Sequence, residues 1–89
     1  MNPEMLQNVL NLLIDVENDR TVPRNIRSAV TKAKEDLKNE KLEPAVRINS
    51  AISTLDEVSN DTNIPSYSRT QIWNIVSVLE IMNKSLKKD

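Results

Sequence analysis

"NDRTVPRNIR" fills residues 18–27, and a similar phrase, "NDTNIPSYSR", fills residues 60–69. Both phrases begin with Asn-Asp, place a β-branched residue before Pro, and place Arg four residues after that Pro. Asn is the best residue other than Gly for the left-handed backbone that ends many helices, and Pro suits the first turn of a helix. The repeated phrase therefore predicts two similar connections, each of which ends one helix and begins another.

The prolines carry this pattern along the whole chain. They lie at nearly equal intervals, at Pro3, Pro23, Pro44 and Pro65. Five residues before each of the last three prolines stands an Asn that is followed by an acid: Asn18-Asp19, Asn39-Glu40 and Asn60-Asp61. We expect each Asn to end a helix in the left-handed conformation, and each acid to lie near the next helix N-terminus, where the macrodipole favours negative charge. This punctuation predicts four helices, over about 3–17, 23–38, 44–59 and 66–86.

Apolar residues follow the helical period in all four segments, and no segment alternates as a strand does. The apolar positions also repeat at the offset of the two phrases: Leu6/Ile48, Leu10/Ile52, Leu13/Leu55, Val16/Val58 and Val30/Ile72. The predicted fold is all-α, a single domain over residues 1–89 that forms a four-helix antiparallel bundle from two duplicated hairpins, about 3–38 and 44–86. Hairpins of this length resemble HEAT-type repeats, although a solenoid normally needs about three units.

The composition excludes most catalytic chemistry. The 89 residues include no Cys, no His and no Gly, so thiol chemistry, imidazole bases, phosphate-binding Gly loops and the common metal sites are absent. We predict that the protein is not an enzyme and needs no cofactor, metal or small-molecule substrate. The remaining catalytic hypothesis is a hard cation such as Mg²⁺ held by carboxylates at the hairpin ends, which are Glu17, Asp19, Asp56, Glu57 and Asp61.

Net charge and hydropathy predict a cytoplasmic protein that does not enter a membrane. Twelve basic and thirteen acidic side chains give a net charge of -1, so general attraction to nucleic acid or anionic lipid is not expected. The N-terminal segment contains no basic stretch of the kind that opens a signal peptide, and no run of about 18 apolar residues spans a bilayer.

The repeated phrase has a structural and a functional interpretation. In the structural one, Asn ends a helix, the β-branched residue enters the core, Pro begins the next helix, and Arg bonds back to the loop acid. In the functional one, the two phrases form a pair of pseudo-symmetric polar sites. We favour the structural interpretation, because residues 39–44 repeat the Asn, acid and Pro spacing without Arg at the same offset from Pro. The residues of this motif are Asn18, Asp19, Val22, Pro23, Arg27, Asn60, Asp61, Ile64, Pro65 and Arg69.

Basic residues cluster on one flank of the second predicted helix. At about 100° per residue they lie beside the apolar face rather than opposite it. This basic ridge consists of Arg24, Arg27, Lys34, Lys38 and Lys41. It could be a solvated face with ordinary ion pairs, a contact for an acidic partner, or a grip on a phosphate backbone.

The fourth predicted helix carries more apolar residues than one core-facing side requires. Trp73, Val78 and Ile81 lie outside its main apolar face, which predicts an interaction surface. We therefore predict a non-enzymatic helical module that binds a protein partner or forms a homo-oligomer. The alternative is a nucleic-acid-associated factor that uses the basic ridge.

The chain also resembles a small archaeal family of uncharacterised all-helical proteins. The resemblance covers nearly the whole chain and rests on "VPRNIR" (22–27), "RINSAISTLDEVSND" (47–61) and "NIPSYSRTQIWNIVSVLE" (63–80). It implies an all-helical fold in an archaeal, cytoplasmic setting and brings no assigned activity. Family members often read Asn-Asp-Pro-Asn and carry His two residues after the second motif proline. Thr62 and Tyr67 occupy those places here, which argues against His-dependent chemistry at the second motif.

Overall fold

Four α-helices make up the computed structural model, which describes residues 1–86. They are α1 (Pro3–Glu17), α2 (Arg24–Lys38), α3 (Pro44–Ser59) and α4 (Ser66–Leu86). No strand occurs within this described range, and residues 87–89 of the predicted domain lie outside it. The all-helical prediction is confirmed, and the predicted boundaries agree except that α2 begins one residue later.

The start of α2 shows how proline begins a helix in this chain. Pro23 is the N-cap of α2, and its carbonyl oxygen accepts hydrogen bonds from the N–H groups of Ile26 and Arg27 at 3.1 and 3.0 Å. Pro3 and Pro44 are instead the first residues of their helices. In each place the missing N–H of proline lies where a helix has no intrahelical acceptor for it.

The helices enclose one core. α1 packs against α2 and α4, and α3 packs against the same two helices, so each hairpin contacts the other along both sides. Three loops join the helices: loop 1 (18–23), loop 2 (39–43) and loop 3 (60–65). The molecule measures 40 × 21 × 20 Å. Loops 1 and 3 lie at one end of the molecule, and loop 2 lies at the other.

The core is aliphatic, as the scarcity of aromatic residues requires. Both aromatic side chains, Tyr67 and Trp73, are exposed. The largest fully buried side chains come from every helix and from loop 1, and they are Val9, Leu13, Val16, Val22, Ile26, Leu37, Ile48, Leu55, Ile72, Ile75, Leu79 and Met82. Their burial supplies most of the stabilisation, at roughly 25 cal/mol per Å² of apolar surface removed from water.

The backbone of the helix-ending asparagines differs from the prediction. Asn18, Asn39 and Asn60 have φ angles of -93°, -80° and -89°, and no residue of the described range has a positive φ. The expectation of left-handed asparagine caps was therefore wrong. The physical reason is that these helices end in turns closed by side-chain hydrogen bonds, which keep the backbone in ordinary right-handed or extended conformations.

Candidate functional site

Each loop is built on an Asx turn, in which an Asp or Asn side chain accepts a hydrogen bond from the N–H two residues later. In loop 1, Asp19 Oδ1 accepts from the N–H and hydroxyl of Thr21 at 2.9 and 2.6 Å. In loop 3, Asp61 Oδ1 accepts from the N–H of Asn63 at 2.8 Å. These bonds from Thr21, with a smaller contribution from the nearby charge of Arg27, hold the pKa of Asp19 below its ordinary value. The main role of Asp19 and Asp61 is therefore to close the turns of their own loops, whereas the sequence predicted an interaction with the dipole of the next helix.

Loop 2 uses the same turn with a different residue. Asn39 Oδ1 accepts from the N–H of Lys41 at 3.1 Å, so the Asn of loop 2 does what Asp19 and Asp61 do in the other loops. In all three turns the carbonyl of this residue also accepts a hydrogen bond from the N–H of an apolar residue three positions later. The N–H of Val22 donates to the carbonyl of Asp19 at 3.1 Å, that of Leu42 to Asn39 at 3.1 Å, and that of Ile64 to Asp61 at 3.4 Å. Loop 2 thus has the same spacing of Asn, acid and Pro as loops 1 and 3, but its turn is closed by the Asn of the pair and theirs by the acid.

Counting from the turn-forming residue reveals an arginine eight residues later in every loop: Arg27, Arg47 and Arg69. Arg69 Nε donates to the carbonyl of Ser59 at 3.0 Å, and Arg69 Nη2 donates to the carbonyl of Asp61 at 3.1 Å. Arg47 Nε donates to the carbonyl of Leu42 at 2.9 Å. The arginines at loops 2 and 3 therefore bond back to loop carbonyls, whereas the sequence predicted bonds to loop acids.

Arg27, the equivalent residue at loop 1, makes no such bond. Its Nε is buried and has no hydrogen-bond partner within residues 1–86, and its charge acts on Asp19 only at a distance. Asp61 additionally accepts a bond from Asn25 Nδ2 at 3.2 Å, which joins loop 3 to the first turn of α2. The two copies of the repeated phrase are thus similar in turn structure and different in their polar contacts.

The centre of the basic ridge takes part in a tertiary ion pair. Lys34 Nζ lies 2.8 Å from Glu17 Oε1, and each side chain is only 21% exposed. The hydroxyl of Thr31 donates to the other oxygen of Glu17. The hydrogen bond from Lys34, and then that from Thr31, hold the pKa of Glu17 below its ordinary value. These contacts stabilise the packing of the end of α1 against α2.

Glu17→Gln is expected to lower the free energy of unfolding by about 1 kcal/mol at pH 7, because the pair is charge-assisted yet in contact with solvent. The pKa of Glu17 is lower in the folded state, so its stabilisation is complete above the unfolded pKa of about 4.3 and is lost as pH falls through the folded value. Urea unfolding at pH 7 and at pH 3 measures both. The difference between wild type and variant should shrink at pH 3, and an unchanged difference would contradict the role of the charge.

The rest of the ridge is discontinuous. Arg27 is half-buried, and Arg24, Lys38 and Lys41 are exposed. Arg24 and Lys38 are the first and last residues of α2 and lie about 21 Å apart along its axis. Pairing of Lys34 therefore divides the predicted ridge into separated charges at the two ends of the helix.

The outward side of α4 presents two large apolar side chains. Trp73 and Ile81 are each 55% exposed, and the exposed Ser77 lies midway between them. Val78 instead is half-buried and packs against the core. At about 100° per residue, Trp73 and Ile81 lie on either side of Ser77, which points directly away from the core face of α4. We call Thr70, Trp73, Asn74, Ser77, Glu80, Ile81 and Lys84, all exposed, the outer face of α4.

Two cavities open near the ends of the molecule. One of about 200 Å³ lies beside loop 3 and is lined by Asn25, Ile26, Ala29, Thr54, Glu57, Val58 and Asp61. Another of about 280 Å³ lies between the first turn of α1 and the last turn of α4 and is lined by Met1, Asn2, Met5, Met82, Ser85 and Leu86. Both are smaller than typical small-molecule sites of about 300–1,000 Å³.

The acids of the cation hypothesis do not form a cluster, since no three Asp or Glu residues among 1–86 lie close enough together to hold a metal ion.

Comparison with known sequences gives the family of the chain. Residues 1–82 match the model of the uncharacterised protein family UPF0147. The chain belongs to the UPF0147 family. It is 56% identical over 77 residues to the UPF0147 protein MJ1419 of Methanocaldococcus jannaschii, which covers 86% of this chain and 83% of that protein. It is 47% identical over 79 residues to a UPF0147 protein of Metallosphaera sedula, which covers 89% of each chain.

Solved structures of similar proteins have the same fold. The chain is similar to the unknown function protein MMP1188, with 49% identity and a TM-score of 0.85 over 89% of this chain and 91% of that chain. It is also similar to a UPF0147 protein from Thermoplasma acidophilum, with 35% identity and a TM-score of 0.85 over 88% and 92% of the two chains. The resemblance to an archaeal family of uncharacterised helical proteins is confirmed.

Three features of this UPF0147 protein are missing from the sequence-based predictions. The role of Arg47 is visible only when the count begins at Asn39 rather than at Pro44. Helical periodicity is enough to place Ser77 at the centre of the outer face of α4, but a small polar side chain gives no signal of an interaction surface. The pairing of Glu17 with Lys34 joins separate helices and has no short-range signal in the sequence.

No described helix is both long enough and apolar enough to cross a bilayer.

Proposed function

We propose that this UPF0147 protein is a non-enzymatic helical module that self-associates through the outer face of α4. The observation that carries the proposal is the exposure of Trp73 and Ile81 on one side of one helix. Burial of large aromatic and aliphatic side chains at the centre of an interface dominates most protein association. The other exposed large apolar residues, Ile14, Val46 and Tyr67, are single residues elsewhere on the surface.

The expected association is weak and reversible. A standard interface buries about 800 Å² on each partner, and one helix face with two apolar anchors provides less. We expect a dissociation constant of roughly 10–500 μM. Such a module would assemble where its local concentration is high.

Trp73→Glu is expected to weaken this association at least tenfold, because it removes an apolar anchor and places a second carboxylate near Glu80. Sedimentation equilibrium from low to high micromolar concentration measures the change. Tyr67→Glu is the matched control, since Tyr67 is 72% exposed in the first turn of the same helix and lies outside the outer face. A wild-type chain that stays monomeric at high micromolar concentration would sink the proposal, as would equal effects of the two substitutions.

The duplicated-hairpin origin of the fold is part of the same proposal. The shared turn, apolar residue and arginine of loops 1 and 3 support it, and loop 2 shares the same three elements. A repeated unit of one helix and one loop would also produce the elements of loop 2, so the hairpin duplication rests mainly on the apolar positions that match at the offset of the two phrases, such as Leu13/Leu55 and Val16/Val58. The cytoplasmic location stays a prediction, which cell fractionation would test.

The nucleic-acid alternative has less support. Lys34 is paired with Glu17, and the remaining cations of the basic ridge are separated along α2. Phosphate binding would be strongly salt-dependent and would weaken on charge reversal at Arg24 and Lys38. Titration of a labelled duplex and a labelled single strand at low salt tests this alternative. Salt-sensitive binding that these substitutions abolish would favour it over self-association.

A further inference from the structure

The outer face of α4 has a similar order of apolar and polar side chains on both sides of Ser77. Trp73 lies four residues before Ser77 and Ile81 lies four residues after it. Thr70 and Lys84 lie seven residues to either side. Large apolar side chains thus flank a small one, and polar side chains lie beyond them.

A two-fold axis perpendicular to α4, lying in the plane of contact beside Ser77, would bring two copies together as antiparallel helices. Residues at equal distances from Ser77 would then lie at the same level along the two helices, so that Trp73 of each copy lies beside Ile81 of the other across the interface. The small side chain of Ser77 allows the two helices to approach closely at the crossing point. The exposed fractions of Trp73 and Ile81 would be covered together, because each is the partner of the other.

Charge distinguishes this arrangement from a parallel one. In the antiparallel pairing Lys84, which lies near the midline of the outer face, faces Thr70 of the second copy. A parallel pairing in the same register would place Lys84 against Lys84, which is repulsive. The antiparallel pairing avoids this contact between lysines.

We infer that the occupant of the outer face of α4 is a second copy of this chain, docked antiparallel with Ser77 beside the two-fold axis. This inference rests on the self-association proposed above and specifies its partner and register. The surface is isologous, so it closes as a dimer and does not propagate into fibres.

The cysteine-free sequence allows a direct test of register. Full-length single-cysteine variants Thr70→Cys and Lys84→Cys retain both apolar anchors and carry one thiol each. One variant is made heavier with an affinity tag, the two are mixed in equal amounts, and a short bismaleimide is added. We expect the mixed product to exceed either homodimer by more than tenfold, because residues 70 and 84 face each other only in the antiparallel pairing.

Two further variants make each outcome decisive. Ser77→Cys should cross-link efficiently with itself, and Ser28→Cys, exposed on α2, should not. If sedimentation shows a dimer but Thr70→Cys and Lys84→Cys each cross-link mainly with themselves, the pairing is parallel and the inference fails while self-association stands. If a dimer forms and Ser77→Cys does not cross-link, the axis lies elsewhere and the inference also fails. A monomeric wild type would instead overturn the proposed function itself.

Discussion

Ile64→Ala is expected to lower the free energy of unfolding by about 3 kcal/mol and the melting temperature by roughly 12–24 °C. Ile64 belongs to loop 3 but is only 5% exposed, and it is part of the single hydrophobic core. Its N–H donates to the carbonyl of Asp61, so the Asx turn holds it in place. Truncation removes buried methyl groups and leaves a cavity that neighbouring helices cannot fill without moving. Urea and thermal unfolding followed by circular dichroism measure the change.

Substitutions at positions of lower burial show whether the loop residue acts through burial. Val46→Ala, at a position that is 49% exposed near the start of α3, should change stability by less than about 0.5 kcal/mol. Leu42→Ala in loop 2 should fall between the two, because Leu42 is half-buried. All samples are kept far below the expected dissociation constant, so that dimerisation does not add to the measured stability. Equal losses for Ile64→Ala and Val46→Ala would show that loop 3 is not anchored in the core.

The helix boundaries could be predicted because their determinants are local. Apolar residues at three- and four-residue spacings define each buried face, and proline fixes each helix start within a residue. The chain has no Gly to begin or end helices in less visible ways. Four short segments joined by five- or six-residue loops then leave few arrangements other than a single-core helical fold.

The loop conformations could not be predicted from the same pattern. Asn and Asp both form Asx turns, so an Asn-acid pair does not say which of its members closes the turn. In loops 1 and 3 it is Asp, and the apolar residue directly precedes Pro. In loop 2 it is Asn39, and Glu43 stands between Leu42 and Pro44. The position of the apolar residue in the core decides the register, and that depends on tertiary packing.

The candidate surfaces divide in the same way. Exposure of Trp73 and Ile81 follows from helical periodicity within α4, and the structure places both on its outward side. Val78, predicted to share their surface, is half-buried and lies on the flank of α4 that packs against the core. The basic ridge was predicted from α2 alone, and its central charge is paired with Glu17 of another helix. The periodicity of a single helix cannot show a partner that belongs to a different helix.

Residues of two loops enlarge the core of this small protein. A domain of about 90 residues buries only roughly 60–65% of its unfolded surface and has a thin margin of stability. The side chains Val22 and Ile64 extend the core into the loops. Trp73 and Ile81 are not part of this core and lie on the outer face of α4, where a second molecule can cover them.

Arg69→Met is expected to lower the free energy of unfolding by about 2–3 kcal/mol. Arg69 Nε and Nη2 donate to the carbonyls of Ser59 and Asp61, which belong to the end of α3 and to the turn of loop 3. Hydrogen bonds from a charged donor contribute roughly 1.5–3 kcal/mol each before partial exposure reduces them, and carbonyls left without a donor add a desolvation cost. Methionine retains the apolar stem of arginine, so the loss reports the guanidinium group rather than packing. Chemical unfolding at neutral pH gives the value.

The planar geometry of the guanidinium group makes the test specific. Arg69→Lys should recover less than half of the loss, because an ammonium group cannot reproduce two fixed N–H donors in one plane. Arg47→Met should cost about 1–1.5 kcal/mol, because Arg47 makes one such bond, to the carbonyl of Leu42. Arg24→Met, at an exposed position at the start of α2, serves as the control and should be nearly neutral. If lysine restored full stability at position 69, positive charge near loop 3 would be the requirement, and the bonding of two carbonyls by Arg69 would not explain the loss.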